Sequence, residues 1–223
     1  MSEVIALSTV ADGTMSITSD PTSKVVIQNR IKFLASVGIT MQNTTRVKVV
    51  YEGEDYCRYK EVNPSQKGDG MLDGNIVTAD GLVTCTRNHA LFLPLADCVG
   101  VVIYDPTHHI MMLSHLGRHS LEQNGGYKSV MFLVNNYGCD PTKLFVWLTP
   151  APGQEKYPLF AFNNRAFKEV VFEQLHAAGI NDDNITNDPT DTTKDERYFS
   201  HSEFLQGNRS QDGRYAVVAM MKS

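Results

Sequence analysis

The apolar positions of this chain change period repeatedly, from helical spacing to alternation and back, and clusters of Gly, Asn and Asp mark the changes. In KVVIQNRIKFLASVGI (24–39), Val26, Ile27, Ile31, Phe33, Leu34 and Val37 recur at mostly helical spacing and Gly38 offers a cap, which predicts the first helix. TRVKVVYEG (45–53) alternates like a half-buried strand, while NPSQKGDGMLDGN (63–75) has the composition of an exposed loop, a candidate lid. Strands are expected at GLVTCT (81–86), ALFLPLA (90–96) and VGVVIYD (99–105), the last two so apolar that both faces should be buried. DPTHH turns the chain and IMMLSH (110–115) returns as a further strand. RHSLEQNGGYKSVMFLVNNYG (118–138) reads as helical in its second half despite Gly125-Gly126, and KLFVWLTPAPG (143–153) as a strand entering a Pro-rich loop. NRAFKEVVFEQLHAAGI (164–180) is the clearest amphipathic helix, with Phe167, Val170, Val171, Leu175 and Ala178 on one face. The acidic, Thr-rich stretch 181–196 reads as solvated loop, and GRYAVVAMM (213–221) as a closing strand. The pattern is α/β (an α+β sandwich) with a mixed sheet flanked by helices, in one domain over 1–223, without internal repeat or glycine-rich phosphate loop.

Composition narrows the partners. A chain of 223 residues at 42% hydrophobic can bury a core. With no run of about 18 apolar residues and no basic, cleavable leader, a cytoplasmic location without membrane association is expected. The net charge of −5, with no basic run, argues against nucleic acid and favours small molecules or proteins as partners. Four scattered cysteines, Cys57, Cys85, Cys98 and Cys139, form no CxxC pair and read as reduced thiols, some of them candidate ligands.

The candidate chemistry lies in LADCVGVVIYDPTHHIMMLSHLG (95–117). Cys98 precedes one apolar strand and His115 ends the next, so antiparallel pairing through a short turn brings them to the same end of a sheet. A thiol and an imidazole converging there suit a zinc or copper site, or a nucleophile with its general base. Plain packing of a buried cysteine beside a hydrogen-bonded histidine is the competing reading. Asp97, next to Cys98, is placed to orient His115, to shuttle a proton, or only to cap its own turn.

Around this pair, DGLVT (80–84), ADC (96–98) and SHLG (114–117) resemble, in order and spacing, the motifs of the YfiH-like laccase-domain family. Asn29-Arg30, YFSH (198–201) and GRYAVV (213–218) extend the resemblance over residues 24 to 221. The resemblance implies an α/β architecture also seen in the cytotoxic necrotizing factor catalytic domain. It also implies a cytoplasmic zinc protein described either as a copper-dependent polyphenol oxidase or as an enzyme of purine nucleosides, which phosphorolyses adenosine, inosine and related substrates. Cys98 and His115 are then two of three metal ligands. The family's third ligand, a histidine, falls at Glu52 of VYEG (50–53), and no histidine precedes His89, so Glu52, Cys57 or His119 is left as substitute, with Glu52 favoured. Arg118, His119 and Arg214 are the candidates for substrate or phosphate binding, Arg118 either standing in for a family arginine or lying solvated at a helix start, while the family's later arginine is Ser202 here. His201 matches a family position near the site; His108, His109 and His176 read as incidental. A four-copper laccase needs about ten histidines in paired H-x-H motifs. This chain has seven and no such pair. Two expectations stand: a metal-assisted purine nucleoside phosphorylase with phosphate as co-substrate, the oxidase being its near alternative, or a non-catalytic remnant binding a ligand on the same fold.

Overall fold

A computed structural model describes residues 3–17, 23–71 and 75–223. Among the described residues, eleven strands form two mixed sheets. The first runs in the order β1 (Glu3–Leu7), β11 (Tyr215–Met221), β6 (Ala90–Leu95), β2 (Thr44–Lys48), β4 (Val77–Thr78). The second runs β10 (Ile185–Asn187), β9 (Phe145–Leu148), β7 (Val99–Asp105), β8 (Ile110–Leu116), β5 (Gly81–Thr84), β3 (Tyr59–Glu61). Helices α1 (Lys24–Ser36), α2 (Arg118–Glu122), α3 (Gly125–Tyr137), α4 (Phe167–Ala177) and α5 (His201–Leu205) complete the regular structure.

The strands' apolar runs follow from this layering, because a strand's successive side chains point to opposite faces. In β7, Val99, Val101 and Ile103 pack with Val130, Leu133, Phe167, Val171 and Leu175 of α3 and α4. Val102 and Tyr104 point the other way and meet Leu91, Leu93, Tyr215 and Val217 of the first sheet. The outer face of that sheet, with Phe92, Ala216 and Val218, is covered by Phe33 and Leu34 of α1. The result is helix, sheet, sheet, helix: the α/β sandwich of mixed strands flanked by helices expected from the sequence, with the strands divided between two sheets face to face. No helix among the described residues is long and apolar enough to cross a membrane.

Several boundaries move for local reasons. The strand expected over 45–53 ends at Lys48, and the chain beyond it leaves the sheet. The expected helix 118–138 is two helices, broken where Asn124 adopts a left-handed conformation (φ 60°). Gly125 is required there, since a Cβ would stand 2.8 Å from the Ser120 carbonyl oxygen. The loop 63–75 holds a short 3-10 turn at Pro64–Gln66, and its residues 72–74 lie outside the described residues. The stretch 181–196 is not purely solvated: Thr192 and Thr193 are buried within it. β1, β3, β4, β10 and α5 have too few residues to show a period in the sequence.

Candidate functional site

β7 and β8 pair antiparallel with Gly100 opposite His115 and Val99 opposite Leu116. That register carries Cys98, one residue before β7, to the same end of the sheet as His115. Gly117, directly after β8, lets them converge. A Cβ on it would lie 2.9 Å from the His115 Cε1, 3.5 Å from its Nε2 and 3.1 Å from the Cys98 Sγ. The connection between β6 and β7, residues 96–98, crosses from one sheet to the other, so the pair sits at the mouth between the sheets.

Asp97 makes that crossing in a left-handed conformation (φ 75°), uncommon for a residue with a side chain. Two hydrogen bonds hold it: Ser202 N–H donates to Oδ2 at 2.8 Å and the Thr192 hydroxyl to Oδ1 at 3.1 Å. The carboxylate thus fastens the start of α5 and the 188–195 segment to the base of the cleft. Its oxygens are engaged there and not with the His115 ring, which gives Asp97 a positioning role.

The other wall comes from the chain after β2. Arg58 donates from Nε (2.6 Å) and Nη2 (3.0 Å) to the two oxygens of the buried Asp80, and from Nη2 to the Val50 carbonyl at 2.9 Å. Asp80 in turn accepts the His115 N–H on its backbone oxygen at 2.8 Å. One ion pair therefore fixes both β8's end and the 49–58 segment, and lays Tyr51 edge-on to His115 with ring centroids 6.2 Å apart. The Tyr51 hydroxyl meets the Cys98 thiol.

The cleft so formed has a volume of about 310 Å³. Its walls carry Tyr51, Cys98, His115, Arg118, Tyr157 and Arg214, with His119, His201 and Ser202 at the rim. Burial lowers the His115 pKa to about 4, with the Asp80 charge opposing. Burial pushes the Cys98 thiol up to about 12; Asp97 adds to this, and Arg214 and Arg118 pull against it. Both groups are neutral at pH 7, so no thiolate–imidazolium pair stands ready as a nucleophile. The cations contrast with the chain's net charge of −5. Arg214 shares the Asp212 carboxylate (2.7 Å) with His201 (3.0 Å), whereas Arg118 faces no carboxylate among the described residues and has His119 Nε2 at 3.5 Å.

The third ligand expected beside Cys98 and His115 is not assembled. Glu52 is exposed and does not line the cleft; Tyr51, one residue earlier, does. The Cys57 thiol is directed at the Ser120 carbonyl (3.9 Å), and His119 stacks on Tyr56 (4.8 Å) at the rim. Among the described residues, no third His, Cys, Asp or Glu brings a donor atom into one ligating group with Cys98 and His115. Two donors do not make the three-ligand centre a catalytic zinc uses. One such group does exist elsewhere, Asp105, His108 and Cys139, whose donor atoms all lie within 4.8 Å of one another. His108, read as incidental from the sequence, belongs to this group. His176, by contrast, makes a surface pair with Asp182 at 2.7 Å.

Tyr51, Tyr157 and the Arg58–Asp80 pair were not singled out by the sequence reading. Tyr51 alone left a signal, as the aromatic inside the VYEG segment flagged for a ligand.

Residues 8–170 match the family model described as multi-copper polyphenol oxidoreductase laccase. A mouse (Mus musculus) protein named purine nucleoside phosphorylase LACC1 is 27% identical over 158 residues, 70% of this chain and 33% of that protein. The chain thus spans about a third of the length of that relative. Two solved structures share the fold. YlmD from Geobacillus stearothermophilus has a TM-score of 0.84 at 21% identity, covering 99% of this chain and 92% of that one. The hypothetical protein YfiH of Bacillus licheniformis has a TM-score of 0.83 at 21% identity, covering 99% and 93%. With a family model matched over most of its length and the YfiH fold throughout, the chain belongs to the multi-copper polyphenol oxidoreductase laccase family, the YfiH-like laccase-domain proteins.

Proposed function

We propose that the cleft at the mouth between the sheets is the active site of a purine nucleoside phosphorylase-type enzyme, with inorganic phosphate as co-substrate. The observation that carries this reading is the pairing of Arg118 and Arg214 in one cleft with two neutral donors, the Cys98 thiol and the His115 imidazole. A guanidinium is always charged and offers a donor fork that fits phosphate oxygens. Arg118 and Arg214 hold the phosphate, while Tyr51 and Tyr157 offer flat faces to a purine. A cleft of about 310 Å³ is at the small end of ligand sites and suits a nucleoside. Phosphate oxygen then forms the bond to the sugar's anomeric carbon as the bond to the base nitrogen breaks, and the proton lost by the hydrogen phosphate ends on the released base. The Cys98 thiol and neutral His115 donate hydrogen bonds to the departing base, and Asp97 holds the α5 wall in place. The mouse relative's name supports the reaction class.

The zinc implied by the resemblance would find two donors in Cys98 and His115 and no third among the described residues, so no step is assigned to it. The oxidase reading is weaker still on donor supply. Of the seven histidines, His115, His119 and His201 are the ones that line the cleft, too few for a multi-copper cluster.

The test is release of free base from inosine and adenosine, with and without phosphate. Wild-type protein should release base only with phosphate, and Arg118→Ala should raise the KM for phosphate about tenfold or more, the loss of one charge-assisted contact. Equal release without phosphate, or an unchanged phosphate KM in Arg118→Ala, would overturn the assignment.

A further inference from the structure

The far end of β7, opposite Cys98, holds a second constellation. Asp105 ends the strand with its carboxylate almost fully buried (1% exposed). Its Oδ1 accepts the backbone N–H groups of Thr107 (2.7 Å) and His108 (3.2 Å), the ordinary arrangement of an Asp-initiated turn. Turn chemistry does not explain the rest. The His108 Nδ1 lies 2.7 Å from Oδ2, and the thiol of Cys139 is set against the same carboxylate. Cys139 arrives from a different element, directly after the left-handed Gly138 (φ 69°) that caps α3, and is 3% exposed. A carboxylate oxygen, an imidazole nitrogen and a sulfur thus come within 4.8 Å of one another from two separate parts of the chain.

We propose that Asp105, His108 and Cys139 form a binding site for a divalent cation of the zinc class. Around a tetrahedral zinc with bonds of about 2.0 Å to N and O and 2.3 Å to S, donor atoms stand roughly 3.3–3.6 Å apart. In the observed group the His108 Nδ1 to Asp105 Oδ2 separation is 2.7 Å and all donor atoms lie within 4.8 Å of one another, which brackets that spacing. The mixed N, O and S set selects against magnesium and calcium, which take oxygen ligands. His108, at 41% side-chain exposure, leaves the site open to solvent on one side, so an ion can enter and keep water in the fourth position. Binding balances simply: the Cys139 thiol gives up one proton to solvent, and the neutral His108 imidazole moves its proton from Nδ1 to Nε2 and ligates through Nδ1.

The ion would tie the β7–β8 turn to the chain after α3, which is a stabilising clip and not a catalytic device. Ligation displaces the Cys139 thiol proton, so affinity rises with pH. Cys85 is near enough for its charge to act on Cys139 and is the rival sulfur ligand to be excluded.

The experiment is a cobalt(II) titration of chelator-treated full-length protein at pH 8, read by the near-ultraviolet thiolate-to-cobalt absorption. The wild type should develop the band at one equivalent, lose it on adding zinc, and melt at higher temperature when loaded. Cys139→Ser should abolish the band. His108→Ala, an exposed position that does not endanger the fold, should weaken cobalt binding by about tenfold or more. Cys98→Ser and Cys85→Ser should keep it. No band in folded wild-type protein, a band that survives Cys139→Ser, or one lost in Cys98→Ser overturns the proposal.

Discussion

Replacing Gly117 with alanine would put a methyl group where the Cys98 and His115 side chains converge. The backbone itself tolerates the change, because Gly117 has φ −94° and ψ 178°, an extended conformation open to any residue. What cannot be accommodated in place is the Cβ, 2.9 Å from the His115 Cε1 and 3.1 Å from the Cys98 Sγ. Carbon contacts settle at about 3.5–4.0 Å, so one or both partners must retreat by roughly 0.5–1 Å. His115 is 5% exposed and held beneath Tyr51, so it has little room to yield. Overpacking of this kind costs about 1–3 kcal/mol. For a chain of this length each kcal/mol lowers the Tm by about 2–4 °C, giving an expected fall of roughly 2–12 °C. A misplacement near 1 Å at a reacting centre costs about 10²-fold in rate. The expected result is a folded protein with a modestly lowered Tm, a shifted His115 Cε1–H resonance, and kcat/KM for phosphorolysis down about a hundredfold. An unmoved resonance with kcat/KM within about twofold of wild type would refute the geometry of the pair.

Three further outcomes follow from the same structure. Arg58→Ala leaves the buried Asp80 carboxylate unpaired and frees the segment that carries Tyr51. It should cost about 2–4 kcal/mol in urea unfolding, toward the lower end because a quarter of the Arg58 side chain is exposed, and an undiminished midpoint would contradict the role given to the pair. Asp97→Ala removes both hydrogen bonds and leaves a Cβ residue at φ 75°; the Ser202 amide should exchange with deuterium markedly faster, and unchanged exchange would remove Asp97's positioning role. Burial lowers the pKa values of His115 and His89 to about 4, Lys67 adding at His89. Because these folded values lie below the ordinary 6.5, the unfolded chain protonates first as pH falls. Stability should be complete above about pH 6.5 and be lost between there and pH 4, at up to roughly 1.4 kcal/mol per pH unit for each histidine. His89→Asn should flatten that slope in urea unfolding followed from pH 7.5 to 4, and an equally steep slope would place the loss elsewhere.

How much of this was legible in the sequence depended on whether the information was local. Long apolar runs were: β7 spans the expected 99–105, and α4 lies within the expected 164–180. The antiparallel turn between β7 and β8 was enough to bring Cys98 and His115 together, since strand pairing depends only on chain direction and turn length. That β6 and β7 belong to different sheets was not legible, because strands buried on both faces read alike whichever layer they join. Nor was the path after Lys48, where a single ion pair, Arg58 to Asp80, outweighs the alternation of TRVKVVYEG and turns Tyr51, not Glu52, to the cleft. The Asp105–His108–Cys139 group escaped for a related reason: Cys139 reaches it only through the packing of α3 on the sheet.

By the proposed function, the cleft between Arg118, Arg214, Cys98 and His115 joins phosphate to the sugar of a purine nucleoside. Phosphorus NMR of metal-free protein turning over inosine in phosphate buffer addresses it most directly. A new sugar 1-phosphate ester resonance should grow with released base one for one, and grow markedly more slowly in Arg118→Ala and His115→Ala. Base released without the ester, or an ester formed equally by the two variants, would contradict it.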